Sequence, residues 1–439
     1  MSTKAATSPR PPAPLVAFNG SRPPAPDWFA NALAVPTDRG DVTVEGAKVR
    51  WKAWGQRGAP GLILVHGGVA HKDWWDSIAP FLADTRRVVA LDLSGMGDSD
   101  HRDRYRMETY ALEVLAAGQA GGAFDAGKPF LVGHSFGGFV SLATAMEHGE
   151  QLNGIAVLDS PIRPSDEQRR SSPPSRGGTV YNSFDAALMR FRLLPEQDCD
   201  NAFLLDHIAR QSLKEVERPD GSAGWTWKFD PKLWAKLDYD RPPPADIVGA
   251  LKTRIALFRG AESRLVTDEV WGFMRETFGP DTTMVSIPQA EHHLILDQPI
   301  AVAAALEVLT GPGWGWPEVR AGSLGALVFR VPPDFLFHVR GKGRRARGRG
   351  LADTGNDRHH DHQGEPDAGD FQPDRPEIAK LDGTEIQIFP SRRDRQGQQG
   401  KKARPKGKGK THARLRVLQR KQFRAGAWLQ PPLLSGQPC

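Results

Sequence analysis

Cysteine is nearly absent: the 439 residues contain two, Cys199 and Cys439. A disulfide framework and a cysteine-based zinc site are therefore excluded. No window approaches the ~18 uninterrupted apolar residues of a transmembrane helix, and the opening MSTKAATSPRPPAP lacks the apolar core of a secretory signal. A cytoplasmic protein without membrane association is the expectation. Excess positive charge is also missing where it would matter. The chain carries a net +6, but residues 1–310 carry −6 and residues 311–439 carry +12. The basic balance belongs to the tail and does not describe the partners of the folded part.

What is present is a rhythm. Residues 1–26 are rich in Pro, Ala and Ser without periodicity, which reads as a disordered lead. From about Asp41, short apolar or β-rich runs recur at 49–55, 61–67, 86–93, 128–135, 152–160, 254–260 and 282–288. The inner runs are continuously apolar, as strands covered on both faces are. Helix-like segments at 76–84, 105–119, 137–149, 267–278 and 298–309 lie between them. This alternation predicts an α/β fold, a mostly parallel sheet with helices on both faces. About 90 residues separate Ser160 from Arg254, far beyond an ordinary crossover. Helix-like stretches at 183–194 and 201–213 and the aromatic run 225–234 predict an inserted helical cap over 161–249. The core then comprises 41–160 and 250–310.

After residue 310 the core pattern stops, and 311–439 reads as a basic, low-complexity tail. Its composition cannot bury enough surface to offset chain entropy, so disorder is expected. Two other readings remain for it: non-specific binding to nucleic acid or acidic membrane through its basic clusters, and out-of-frame translation. The His359–His362 run, HHDH, would offer only adventitious metal binding.

The chemistry concentrates in three places. Gly133-His134-Ser135-Phe136-Gly137 follows an apolar strand and opens a helix, the strand–turn–helix setting in which G-x-S-x-G presents a nucleophilic serine. The helix N-terminus places backbone N–H groups beside developing negative charge. His66-Gly67-Gly68-Val69 directly follows the strand LILV, and its glycines let backbone N–H groups approach an oxyanion. A hydroxyl needs a base, and Glu291-His292-His293 lies after the last strand, before a helix opening at Pro299. One of the two histidines serves as base and the other packs beneath it. His71, His101, His148 and His207 read as surface residues. Asp98, in the turn Gly95-Met96-Gly97-Asp98-Ser99, reads as turn-stabilising.

Together the HGG turn, the run Asp92–Asp100, GHSFGG and the HHLILDQP segment resemble the α/β-hydrolase superfamily over roughly residues 41–310. The resemblance implies Ser135 as nucleophile and the N–H groups of Gly68 and Phe136 as oxyanion hole. The family's histidine commonly stands seven residues before the proline of the last helix, which selects His292, with His293 as the alternative base. The acid is less determined. Ser263 occupies the position where the family often places Asp after the penultimate strand, and serine cannot hold an imidazolium as a carboxylate does. Asp159, at the end of the preceding strand, is then the favoured acid, with Glu262 as the alternative. No metal and no cofactor are implied. The expected activity is hydrolysis of a small, partly apolar ester or lactone through an acyl-enzyme, a carboxylic-ester-type reaction. C–C bond hydrolysis would use the same residues, and a ligand-binding receptor with little turnover is the alternative from another class. The expected partner is a small-molecule substrate, and nucleic acid is not expected except through the tail.

Overall fold

The structure, a computed structural model, describes residues 12–165 and 178–311, together with the backbone of 378–381 and 384–387. Each inner apolar run becomes a strand: β3 (Gly61–Val65), β4 (Arg87–Leu91), β5 (Phe130–His134) and β6 (Gly154–Leu158) are buried at every position. β7 (Ile255–Gly260) and β8 (Thr283–Ile287) complete the parallel part. β2 (Ala47–Trp54) pairs antiparallel with β4, and β1 (Asp38–Val44) pairs antiparallel with β2. The strand order is β1-β2-β4-β3-β5-β6-β7-β8, eight strands in one sheet. β1 escapes the sequence pattern because it is an edge strand. DRGDVTV keeps its charges in solvent and buries only Val44.

The main helices are α1 (Met107–Gly121), α2 (Phe136–His148), α3 (Ala202–Gln211), α4 (Asp268–Phe278) and α5 (Pro299–Thr310). The apolar side chains of the sheet form two clusters, one on each face. Leu62, Leu64 and Val132 pack on one face with α5 residues such as Leu306, while Ile63, Val65 and Leu131 pack on the other with α1 and α2 residues such as Val114 and Val140. Both faces are therefore covered, as the unbroken apolar runs require. Among the described residues no helix is long and apolar enough to cross a membrane.

The insertion between β6 and β7 is mixed rather than purely helical. It holds short helices at Phe184–Leu188, Leu233–Lys236 and Pro244–Ala250 around α3, but also an antiparallel hairpin, Leu213–Glu217 with Ala223–Trp227. Its turn contains Asp220-Gly221, with Gly221 at φ 77, and alternating Val, Thr and Trp side chains favour strands over a continued helix.

Part of the proline-rich lead, residues 12–26, is placed against the core rather than disordered. Within 12–26, Leu15 is 2% exposed and joins the cluster containing Phe29 and Trp75, ahead of a 3-10 turn at Val16–Phe18. One buried leucine anchors a segment that shows no periodicity. The expectations for 1–11 and for most of the tail lie outside the described residues. The tail's described backbone is one antiparallel strand pair, Ile378–Leu381 with Thr384–Gln387, in a unit separate from the sheet.

Candidate active site

Parallel strands lie about 4.8 Å apart, so residues that follow adjacent strand ends become neighbours. Ser135 follows β5 and Asp159 follows β6. The Ser135 amide donates to Leu158 C=O at 2.8 Å and the Asp159 amide to Phe258 C=O at 2.9 Å, extending the ladder by one residue each. Both residues then turn sharply, with φ of 55 and 49. Such left-handed backbone in residues other than glycine is strained and needs surrounding structure to hold it.

The glycines of the serine turn are required by close approach. A Cβ on Gly133 would stand 2.1 Å from Gly137 C=O, and one on Gly137 would stand 2.5 Å from the carbonyls of Val65 and His66. Ser160 Oγ fixes the turn further by donating to Ser135 C=O at 2.7 Å.

His292 arrives from the loop after β8. Its Nε2 lies 2.9 Å from Ser135 Oγ, and its Nδ1 lies 2.8 Å from Asp159 Oδ1. Asp159 is fully buried, and the Gly260 amide and Ser263 Oγ donate to its carboxylate at 2.8 and 2.7 Å. The structure thus brings Ser135, His292 and Asp159 into one hydrogen-bonded chain. Glu262, the alternative acid, is exposed, and its amide donates to Ala290 C=O. Ser263, which stands where a carboxylate might have been, instead supplies a hydroxyl to Asp159.

His293, the alternative base, is buried behind His292 with ring centroids 4.8 Å apart. Burial, then the adjacent His292, hold it well below the ordinary histidine range. His134 is buried too, and burial brings it to about 3. Its Nε2–H donates to His292 C=O at 2.9 Å and so positions the loop carrying the candidate base. His66 sits under the HGG turn, brought by burial to about 4, and its Nε2 accepts the Leu93 amide at 3.1 Å. Nitrogens of His134, His292 and His293 lie within 4.8 Å of one another, a spacing open to a transition-metal ion. Because both nitrogens of His292 already bond Ser135 and Asp159, metal binding there would break one of those bonds.

The HGG turn approaches the serine turn closely. A Cβ on Gly68 would lie 3.6 Å from Phe136 Cβ, and it would meet Trp234 of the cap at 2.7 Å. Trp234 also packs edge-on against Phe136, with centroids 5.3 Å apart. No hydrogen-bond acceptor takes the amide of Gly68 or of Phe136 among the described residues. The loop beyond is fixed by charge. Lys72 Nζ lies 2.7 Å from both Asp92 and Asp98, and burial alone would lower it, yet Asp92, Asp73 and Asp98 hold it above the usual lysine range.

The sequence motifs assign no supporting role to His134, Ser160, Ser263 or Trp234. His134 lies inside the serine motif, where a histidine second in the pentapeptide is a visible signal. The other three act through contacts that no local pattern encodes. His71 and His207 are buried rather than superficial, because both bond across to another element. His71 Nε2 lies 2.9 Å from Ser212 Oγ, and His207 Nε2 lies 2.9 Å from Asp76 Oδ2.

A cavity of about 1100 Å³ opens above Ser135, lined by Gly67, Gly68, His134 and His293 from the core and by Trp227 and Phe229 from the cap. It exceeds what a small ester needs.

The profile of the alpha/beta hydrolase family matches residues 62–305, more than half of the chain. The protein belongs to that family. The uncharacterised hydrolase YugF of Bacillus subtilis is 27% identical over 270 residues, covering 58% of this chain and 92% of YugF. An esterase of Mycobacterium tuberculosis is 25% identical over 286 residues, covering 61% and 87%. A haloalkane dehalogenase of Sphingobium indicum is 27% identical over 267 residues, covering 56% and 86%. A putative hydrolase from Rickettsia typhi superposes with a TM-score of 0.51 at 16% identity, covering 63% of this chain and all of that one, which shows the shared fold. The hydrolase family and its esterase relatives establish a general α/β-hydrolase.

Proposed function

We propose that this α/β-hydrolase is a serine hydrolase that cleaves a carboxylic ester or lactone through an acyl-enzyme. The observation that carries the reading is the pair of hydrogen bonds at His292, 2.9 Å to Ser135 Oγ and 2.8 Å to Asp159 Oδ1. His292 Nε2 takes the Ser135 proton as Oγ attacks the ester carbonyl carbon, and Asp159 accepts from Nδ1–H and stabilises the imidazolium. The tetrahedral oxyanion accepts from the amides of Gly68 and Phe136. His292 gives its proton to the departing alkoxide, and the C–O bond breaks. A water then loses its proton to His292 and attacks the acyl carbon. Ser135 leaves with that proton, and the carboxylic acid is released.

Serine at 135 separates this reading from halide or epoxide opening, in which the superfamily uses an aspartate at that position. The cavity volume favours a substrate larger than a short-chain ester. The test is labelling with a fluorophosphonate, followed by peptide mass spectrometry. One adduct on Ser135, lost in Ser135→Ala, is expected. A well-folded protein that takes no adduct would overturn the reading and favour a binding role.

A further inference from the structure

The cavity above Ser135 has an uneven charge. Among the described residues its lining includes two arginines, Arg190 and Arg192, and no aspartate or glutamate. This contrasts with the surrounding chain, since residues 1–310 carry a net charge of −6. Several other arginines of the folded part pair with acids: Arg87 with Asp38, Arg102 with Glu113, Arg210 with Asp206 and Arg259 with Asp268. The Arg190 guanidinium forms no ion pair among the described residues, whereas Arg192 pairs with Glu196 at 4.0 Å, an acid outside the cavity lining.

The two arginines are placed by their neighbours. Phe191 and Leu193, alternating with them along the cap segment that follows the helix Phe184–Leu188, are 7% and 3% exposed and anchor the segment in the core cluster. Arg190 is exposed and Arg192 half-buried, both at the cavity. Trp74, Phe191, Trp227 and Phe229 supply apolar walls, and low-dielectric walls focus the field of fixed cations into the cleft. A guanidinium offers paired donors that match a carboxylate or phosphate.

We infer that the substrate carries an anionic group, a carboxylate or a phosphate, at a distance from the scissile ester, and that Arg190 and Arg192 bind it. This rests on the serine-hydrolase reading and names the substrate class for that site. Bonds of this kind to a charged group contribute to binding before chemistry, so the preference falls on KM.

The test compares chain-matched p-nitrophenyl esters on the full-length protein: a neutral butyrate, a glutarate half-ester ending in carboxylate, and an analogue ending in phosphonate. The expected kcat/KM for the better anionic ester is at least ~10-fold above the neutral one at low salt, shrinking as salt screens the pair. Arg190→Gln with Arg192→Gln brings the ratio towards one through KM, and Arg190→Glu with Arg192→Glu inverts it. Lys214→Gln, an exposed cap cation outside the cavity, leaves the ratio unchanged. The relative rates of the two anionic esters say which anion is meant.

A ratio at or below one in a protein whose Ser135 takes the fluorophosphonate overturns the inference and leaves the hydrolase reading standing. A ratio that ignores both arginine pairs does the same. If no ester turns over, calorimetry on Ser135→Ala decides: glutarate binding tighter than glutaramide, lost in the arginine variants, supports the anion site without the chemistry. Equal or absent binding overturns it.

Discussion

The strand ends of the sheet and the cap above them face the same cavity, but they are held in different ways. Ser135, Asp159 and the loop of His292 follow strands buried along their length. Each is fixed by several short-range bonds, from the Leu158 and Phe258 carbonyls, the Gly260 amide, and the side chains of Ser160, Ser263 and His134. The cap also meets the core at many points, among them the His71 and His207 bonds, Gln197 with Asp297, Tyr105 with Asp230, Phe191 and Leu193 in the core cluster, and Trp234 against Gly68 and Phe136, but its hairpin is mostly exposed or half-buried. Strained backbone at Ser135 and Asp159 is tolerable only where many contacts fix it, and the cap's hairpin has no such density. On the proposed reading, reaction chemistry sits on the strand ends and recognition is left to the cap.

The largest test of that contrast is Asp159→Asn. If the rigid part holds the reacting groups as proposed, kcat falls by about 10⁴-fold while KM changes little, because the amide leaves the imidazole in the wrong tautomer. Glu262→Gln, on an exposed side chain, leaves the rate unchanged. A matching loss in both variants would move the acid off β6 and weaken the picture of a preorganised strand end.

Gly68→Ala comes next, at the point where the two regions touch. The added methyl meets Trp234 at 2.7 Å, so either the indole or the Gly68 amide must shift. Loss of an oxyanion donor reduces kcat by about 10²–10³-fold. Trp234→Ala combined with Gly68→Ala should recover at least tenfold of that, measured as kcat on one ester. Without recovery, the amide is displaced by the core alone, and the cap plays no part in shaping the oxyanion site.

The third test uses pH. His66 and His134, brought by burial to about 4 and about 3, and His293, held well below its ordinary range, bind protons in the unfolded chain before the folded one. Their contribution is fully present above the unfolded value near 6.5 and is lost as pH falls below it. Each costs about 1.4 kcal/mol by pH 5.5, about 4 kcal/mol in all. Asp297 runs the other way. Burial raises it to about 6, so its contribution grows as pH falls through that value and offsets about 1 kcal/mol at pH 5.5. Urea unfolding should therefore show a net loss of about 3 kcal/mol between pH 7.5 and 5.5, roughly 10²-fold in the folding equilibrium. All three histidines belong to the core, so a flat profile would mean that the core is not as dry as its packing implies.

The same contrast explains what the sequence made legible. Strand runs such as GLILV and the turn GHSFG are dictated locally: continuous burial needs continuous apolar residues, and the serine turn cannot close with a side chain at Gly133 or Gly137. The choice between Asp159 and Glu262 was a weaker inference. It depends on which strand end the His292 loop folds back upon, which only the assembled sheet decides. The cap's hairpin and anchors were largely hidden. His71 meets Ser212 across 141 positions and His207 meets Asp76 across 131, and no periodicity records such pairings. Leu15 escaped notice for a related reason, since a single buried residue in a proline-rich stretch leaves no repeat to find.

The smallest expected effect isolates the cap's hold on the core. His207, on α3, bonds Asp76, whose other carboxylate oxygen accepts from Lys52 Nζ at 2.6 Å. In His207→Gln the carboxylate keeps its lysine, so no buried charge is stranded, and the lost bond weakens the cap by about 1–2 kcal/mol. Amide exchange should then speed up by about 5- to 30-fold in α3 while β5 and β6 keep their protection. That outcome would show the cap opening as a unit of its own above an intact site. Faster exchange in β5 as well would show that cap and sheet open together, and the rigid strand ends would then owe part of their order to the cap that covers them.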